Sequence, residues 1–426
     1  MVTAVVGANW GDEGKGRITD LLSHSSDYVI RYQGGSNAGH TIINDFGKFA
    51  LHSIPSGVFW PNVTNIIGNG VAVNIENVIG EIQNLVSSGV PKPVVKVSER
   101  AQIVMPYHIL LDQYEEERLG KNSFGSTKSG IAPFYSDKFA KIGIQISELL
   151  GDCDRLYTKL SEVVFQKNVL IKHLYHKDPI NVDELFEKVL SWRELIRPYV
   201  SNTEKLLVQA IREDKNVLLE GQLGTLRDPD FGIYPMTTSS STLAGYASVG
   251  AGIPPYLITR IVAVVKAYST AAGAGVFVSE IMGEDAKMLR NRGGDSGEYG
   301  ATTGRARRVG WFDAVASRYG CKIQGATEVA LTVVDALWYL DEIKVCVAYE
   351  YHGEKLTDFP PTDILTECNP IYKTFAGWKT DIRGIRKFED LPKECQFYIR
   401  FIEEELGVKI SMVSNGPHRN DILLMP

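Results

Sequence analysis

Apolar and polar positions follow two rhythms along this chain. Short apolar, β-branched runs at 3–7, 27–32, 49–54 and 63–67 predict strands, as do those at 217–220, 261–267, 328–332 and 343–350. Helix-period patterns at 17–23 and 74–86 fall between the early runs. The alternation predicts an α/β fold, one large domain over residues 1–426 around a mostly parallel central sheet. Residues 145–216 depart from it. They are richer in charge and in helical periodicity, and predict a helical insertion. No repeat, low-complexity tract or linker divides the chain.

Glycine punctuates the pattern. The 40 glycines cluster in loops that follow predicted strands, which points to backbone contact with a ligand. Two loops rich in Gly, Ser and Thr, 221–245 and 293–310, are long for structureless connections and predict function.

Composition narrows the class. Of 426 residues, 44% are hydrophobic and 23% charged, an ordinary globular mixture that excludes wholesale disorder and collagen. The net charge of −6, with no basic block, argues against general nucleic-acid binding. Five dispersed cysteines, Cys153, Cys321, Cys346, Cys368 and Cys395, suit a reducing cytosol and offer no zinc framework. The first residues lack the features of a signal peptide, and no apolar stretch is long enough to span a bilayer. A soluble, cytoplasmic protein without membrane contact is expected.

Three segments carry candidate chemistry. The first, Asn9-Trp10-Gly11-Asp12-Glu13-Gly14-Lys15-Gly16-Arg17, follows the first strand. Its glycines let N–H groups approach a phosphate, the next helix adds its dipole, and Lys15 adds charge. It departs from the standard P-loop, with Asn9 in place of the first Gly and Gly16 in place of the magnesium-binding Ser or Thr. Asp12 is costly beside phosphates unless it holds a metal or takes a proton. A tight turn with solvated charges is the alternative. The second, Gly34-Gly35-Ser36-Asn37-Ala38-Gly39-His40-Thr41, follows the second strand. There His40 is either an acid facing the first loop or a structural histidine. The third, Gly300-Ala301-Thr302-Thr303-Gly304-Arg305-Ala306-Arg307-Arg308, suits carboxylate or phosphate recognition. The hydroxyls of Gly125-Ser126-Thr127 and of residues 237–241, and Asp335 near a strand end, are weaker signals.

Taken together, these segments resemble the adenylosuccinate synthetase family over essentially the whole chain. The resemblance rests on Trp10–Gly16, on Gln33-Gly34-Gly35 with Asn37–Thr41, and on Ile54-Pro55-Ser56-Gly57. It extends to Ile67–Val71, Lys266–Thr270 and Ala301–Arg305. The family implies a single domain with a distant likeness to P-loop NTPases, working as a homodimer. It implies GTP-dependent ligation of L-aspartate to IMP through a 6-phosphoryl intermediate, with one Mg²⁺ per subunit.

The resemblance also implies roles. Asp12 would take the purine N1 proton and bind magnesium together with Gly39, and His40 would assist phosphoryl transfer. GTP would lie on Gly11, Asp12, Glu13, Gly14, Lys15, Gly16 and Arg17, with Gly39, His40, Thr41 and Arg307. Its base would meet Val333, Val334 and Asp335, with Ser414, Asn415 and Gly416. IMP would meet Asp12–Lys15, Asn37, Ala38, Gly39, His40, Thr127, Gln222, Leu223, Thr238 and Arg305. Lys141 of the neighbouring subunit would join them. Ala301, Thr302, Thr303, Gly304, Arg305, Ala306 and Arg307 would bind aspartate.

Several positions depart from the family pattern. Val333 stands where Lys is frequent, Lys128-Ser129 where Gly-Arg is, and Lys141 where Arg is. Leu223 stands where Gln is frequent, with Gln222 one place earlier. Ala306 replaces an often basic residue and His418 an often acidic one. A relative that uses another purine monophosphate is thus one alternative, and a catalytically silent GTP-binding protein is another. The presence of Asp12 and His40 speaks against the second.

Overall fold

A computed structural model of the chain describes residues 1–293, 297–300 and 304–425. Ten strands form its central sheet. In chain order they are β1 (Val2–Gly7), β2 (Tyr28–Arg31), β3 (Thr64–Ile67), β4 (Val94–Ser98), β5 (Val200–Ser201), β6 (Val217–Glu220), β7 (Ile258–Lys266), β8 (Glu328–Thr332), β9 (Ile410–Ser414) and β10 (Ile422–Leu424). Across the sheet they run β10-β9-β8-β7-β1-β6-β2-β3-β4-β5. All neighbours are parallel except the β9–β10 hairpin. β1 is buried throughout, with Ala4 opposite both Leu219 and Ile261. Burial on both faces explains why these strands are continuous apolar runs rather than alternating ones. The carboxyl ends of β1, β2, β6, β7 and β8 therefore open on one edge, where such sheets bind ligands.

Two predicted strands lie elsewhere. The run at 49–54 is realised as Gly47–Leu51, paired antiparallel with His40–Asn44, so His40 opens a hairpin strand instead of closing a loop. The run at 343–350 is realised as Glu342–Tyr351 in a separate four-stranded sheet with Phe312–Asp313, Glu354–Leu356 and Asn369–Ala376.

The insertion is helical, with helices at Ile146–Leu150, Cys153–His173, Val182–Ile196 and Thr203–Arg212. Asp152 caps the second by accepting from the Arg155 N–H at 2.9 Å, and Asn181 caps the third by accepting from that of Asp183 at 2.9 Å. Leu156, Leu160 and Val163 pack with Leu185, Val189 and Trp192. The short β5 interrupts the helices and adds an edge to the sheet. Two further helices, Pro106–Leu119 and Ile131–Phe139, precede the insertion. Among the described residues, no helix is long and apolar enough to cross a membrane. All five cysteines are free thiols.

Candidate active site

The loop after β1 is wired by its own acid. Glu13 is buried, and its Oε1 accepts from the N–H groups of Asn9 at 3.1 Å and Gly11 at 2.9 Å. Its Oε2 accepts from Lys15 Nζ at 2.5 Å, and Thr332 at the end of β8 donates to its carbonyl at 2.5 Å. The Glu13 side chain thus shapes the loop by taking up the Asn9 and Gly11 N–H groups. Gly14, with φ 91°, ends the loop, and the helix Lys15–Ser23 starts there. A Cβ on Gly16 would stand 2.8 Å from the His40 Cβ. That contact accounts for glycine where a P-loop carries Ser or Thr.

His40 is held from behind. Its Nδ1 lies 2.5 Å from Oε1 of Glu220, the last residue of β6, and both side chains are buried. Glu220 also accepts from the Ser56 N–H at 2.8 Å and the Ser56 hydroxyl at 2.5 Å. Burial raises the Glu220 carboxyl, but His40 and Arg31 outweigh it and bring it down to about 2. Glu220 is therefore a carboxylate, and His40 Nδ1–H donates to it. Burial, then Arg31, hold the imidazole below its ordinary range, with Glu220 opposing. His40 Nε2 is buried without a hydrogen-bond partner among the described residues, at the wall of a cavity.

Asp12 faces cations. Arg307 Nε lies 3.0 Å from Asp12 Oδ2, and Arg307 NH1 lies 2.8 Å from Glu298 Oε2. Glu298 is fully buried and also receives Lys266 Nζ at 2.8 Å and the Tyr268 hydroxyl. Its burial is outweighed by Lys266 and Arg307, which bring it down to about 2.

Two cavities meet at these groups. One, of about 890 Å³, is lined by Asn37, Ala38, Thr127, Thr238 and Arg305. The other, of about 500 Å³, is lined by Gly14–Arg17, His40, Thr41, Lys48 and Lys266. Asp12, Ala38, Gly39, Leu223, Gly300 and Arg307 line both. Asn37 Oδ1 is buried without a hydrogen-bond partner among the described residues. Asp12, Leu223 and Val333 have φ values of 61°, 60° and 58°, and all three line the smaller cavity. Left-handed backbone is unusual for Asp and strained for Leu and Val, and such strain gathers at functional sites.

The structure distributes the other candidates unevenly. Arg17 NH1 donates to Ser414 Oγ at 2.8 Å and to the Gly416 carbonyl at 2.7 Å, binding the 414–416 turn to the first helix. The Asn415 side chain donates to the carbonyls of Ile382 and Ile385, at 2.7 and 2.9 Å. Val334 and Asp335 lie in a 3₁₀ turn directly after β8. The Gln222 amide is turned into the second glycine loop, accepting from Gly35 N–H at 3.0 Å and donating to the Gly35 carbonyl at 2.8 Å. Leu223, not Gln222, faces the cavities. Lys141 is exposed at the end of the helix Ile131–Phe139 and lines neither cavity of its own chain. Gly304 and Ala306 flank Arg305, whereas Ala301, Thr302 and Thr303 lie outside the described residues.

Sequence reasoning missed Glu220, Glu298 and Glu116. Glu116 accepts from the N–H groups of Phe124, Gly125 and Ser126 at 3.0, 3.1 and 3.0 Å and so fixes the loop that carries Thr127. A Glu closing an otherwise apolar strand was the available signal for Glu220.

Comparison with known proteins gives one answer. The family model described as adenylosuccinate synthetase matches residues 4–423. An adenylosuccinate synthetase of Thermoanaerobacter sp. (strain X514) is 46% identical over 422 residues, covering 99% of this chain and 98% of the relative. That of Caldicellulosiruptor bescii is 44% identical over 427 residues, covering 100% and 99%. A solved structure of fully ligated adenylosuccinate synthetase from Plasmodium falciparum superposes with a TM-score of 0.93 at 33% identity, covering all of both chains. A cyanophage S-2L succinoaminodeoxyadenylate synthetase, 16% identical with a TM-score of 0.62 over 100% of this chain and 95% of its own, shares the fold.

Proposed function

The chain belongs to the adenylosuccinate synthetase family, and from that premise we propose how its residues divide the work of joining L-aspartate to IMP at the expense of GTP. The protein is a C–N ligase of AMP biosynthesis that yields adenylosuccinate, GDP and phosphate, requires Mg²⁺ and acts as a homodimer. We read residues 1–426 as one domain and its location as the cytosol.

The observation that carries the assignment is Asp12 on the wall common to both cavities. IMP occupies the larger cavity, with its monophosphate near Asn37, Thr127, Thr238 and Arg305. The GTP triphosphate occupies the smaller one, along Gly14–Arg17 and Thr41, with its base toward Asp335 and the 414–416 turn. Asp12 takes the purine N1 proton, and oxygen 6 becomes the nucleophile. The bond from oxygen 6 to the γ-phosphorus forms as the β–γ bridge breaks, and GDP leaves. Lys15 faces the charge that develops on the phosphoryl oxygens, and His40 joins it as an imidazolium, taking a proton on Nε2 while Nδ1–H stays on Glu220. The amino group of aspartate, its carboxylate on Arg307 and the 301–305 loop, then bonds to carbon 6 and expels phosphate. Lys141 serves the partner's monophosphate pocket.

The donors at the shared wall suit the family's metal. Asp12 offers a carboxylate and Gly39 a carbonyl, hard oxygen ligands of the kind Mg²⁺ accepts while keeping phosphate and water in its shell. These two residues would hold it, and when bound it supplies neutralisation of phosphate charge.

A product assay with IMP, aspartate, GTP and Mg²⁺, each omitted in turn, tests the reading. Adenylosuccinate that needs all four and disappears in Asp12→Asn supports it. GTP binding without product overturns it, and guanylate and deoxynucleotide substrates then take the place of IMP.

A further inference from the structure

Arg227 is a buried cation without a carboxylate partner among the described residues. It is 9% exposed and lines the larger cavity. Its guanidinium is spent on carbonyls of two separate segments. NH1 donates to Met236 at 2.6 Å and to Ala274 at 3.2 Å, and NH2 donates to Ala272. The Arg227 carbonyl accepts from the Thr238 N–H at 2.8 Å. One residue therefore ties the Met236–Thr238 wall to the Ala272–Ala274 wall. The second wall continues the network, because a Cβ on Gly125 would lie 3.5 Å from Gly273 Cα and 2.9 Å from Arg305 NH1. The segments that carry Thr127, Thr238 and Arg305 thus converge on walls that this guanidinium joins.

Electrostatics adds a second argument. Burial, with Arg308 nearby, lowers the guanidinium to about 10, so it stays charged near neutrality. Asp12 attracts this charge from outside hydrogen-bond range, and the Arg227 side-chain hydrogen bonds go only to neutral carbonyls, so much of the buried charge remains uncompensated. It projects positive potential into a low-dielectric cavity, where an arriving anion supplies the missing charge.

We propose that Arg227 is a positioning residue for the nucleoside monophosphate: it sets the spacing of the two phosphate-facing walls and biases the empty cavity toward a phosphate dianion. This rests on the assignment of the larger cavity to IMP. Arg227 acts through Thr238, Arg305 and Thr127, and the reacting atoms lie elsewhere.

The test compares IMP with inosine, which lacks the phosphate, on wild type, Arg227→Met and Arg227→Lys. Binding is read by ligand-induced thermal shift and by KM. In Arg227→Met, IMP should bind about ten- to a hundredfold more weakly, as expected for loss of charge-assisted contacts. Inosine binding, KM for GTP and kcat at saturating IMP should stay near wild type. Arg227→Lys keeps the charge but not the three-acceptor fork, and should recover part of the loss; it also carries the test if the methionine variant does not fold. Equal weakening of IMP and inosine, or unchanged IMP binding in both variants, overturns the proposal. Failure of wild type to make adenylosuccinate while still binding IMP would instead strike the functional reading and leave this one standing.

Discussion

Arg307 grips two acids at once, Asp12 through Nε at 3.0 Å and Glu298 through NH1 at 2.8 Å. The Glu298 side chain is fully buried, whereas that of Asp12 is 25% exposed. Water can replace the guanidinium at Asp12 but not at Glu298, so Asp12 is the partner that is exchanged. In the function proposed above, the substrate's carboxylate takes the place of Asp12 on Arg307 and leaves Asp12 to the purine ring. Arg307→Leu should therefore raise KM for aspartate about ten- to a hundredfold. Initial rates against aspartate at saturating IMP and GTP check this; an unchanged KM would remove Arg307 from aspartate binding.

Glu298 should matter first for stability. It neutralises buried Lys266 as well as Arg307. Glu298→Gln strands a buried ammonium, an effect of about 3–5 kcal/mol. The urea midpoint should fall accordingly, with the m-value unchanged. A midpoint within error of wild type would contradict the pairing.

Glu220 should matter first for turnover. Glu220→Gln leaves His40 in place but removes the carboxylate that fixes its Nδ1 proton. A loss in kcat of about 10²–10⁴ is expected, as for a misassigned tautomer in a catalytic triad. KM for IMP should move little. A large KM change with normal kcat would mean that Glu220 supports binding instead.

Asp20 predicts how stability depends on pH. Burial, opposed by Arg419 at 3.0 Å, lifts its carboxyl from the ordinary 3.8 to about 7. Between those values the folded protein holds a proton that the unfolded chain has released. Stability from this group is present below pH 4 and is lost as pH rises toward 7. Asp20→Asn should flatten that part of a stability-against-pH curve measured by denaturant titration. An unaltered slope would show that another group carries it.

What the sequence disclosed, and what it withheld, follows from range. β1, β3, β6 and β8 were legible because strands buried on both faces are apolar without interruption. The glycine loops were legible because left-handed backbone and close packing leave few residue choices there. The helix Pro106–Leu119 was not, since its Gln113–Arg118 stretch is polar on every face and only Tyr107, His108, Leu111 and Asp112 are buried. β9 was also missed. Glu220 and His40 are 180 residues apart, and nothing local to either marks the other. Arg227 was passed over for the same reason, its acceptors being backbone carbonyls that any sequence supplies. The site's cavity-lining groups were visible one by one; the groups that hold them were visible only once folded.

The order of the sheet has a consequence for synthesis of the protein. β1, made first, sits in the middle, and Arg17, on the helix just after it, holds a turn 397 residues further along the chain. At about 5–20 residues per second, translation takes roughly 20–80 s to travel from one to the other. During that interval the loop after β1 and the helix that carries Arg17 exist without the 414–416 turn that Arg17 holds. A nascent chain accordingly cannot fasten the 414–416 turn to Arg17 until synthesis has reached Gly416.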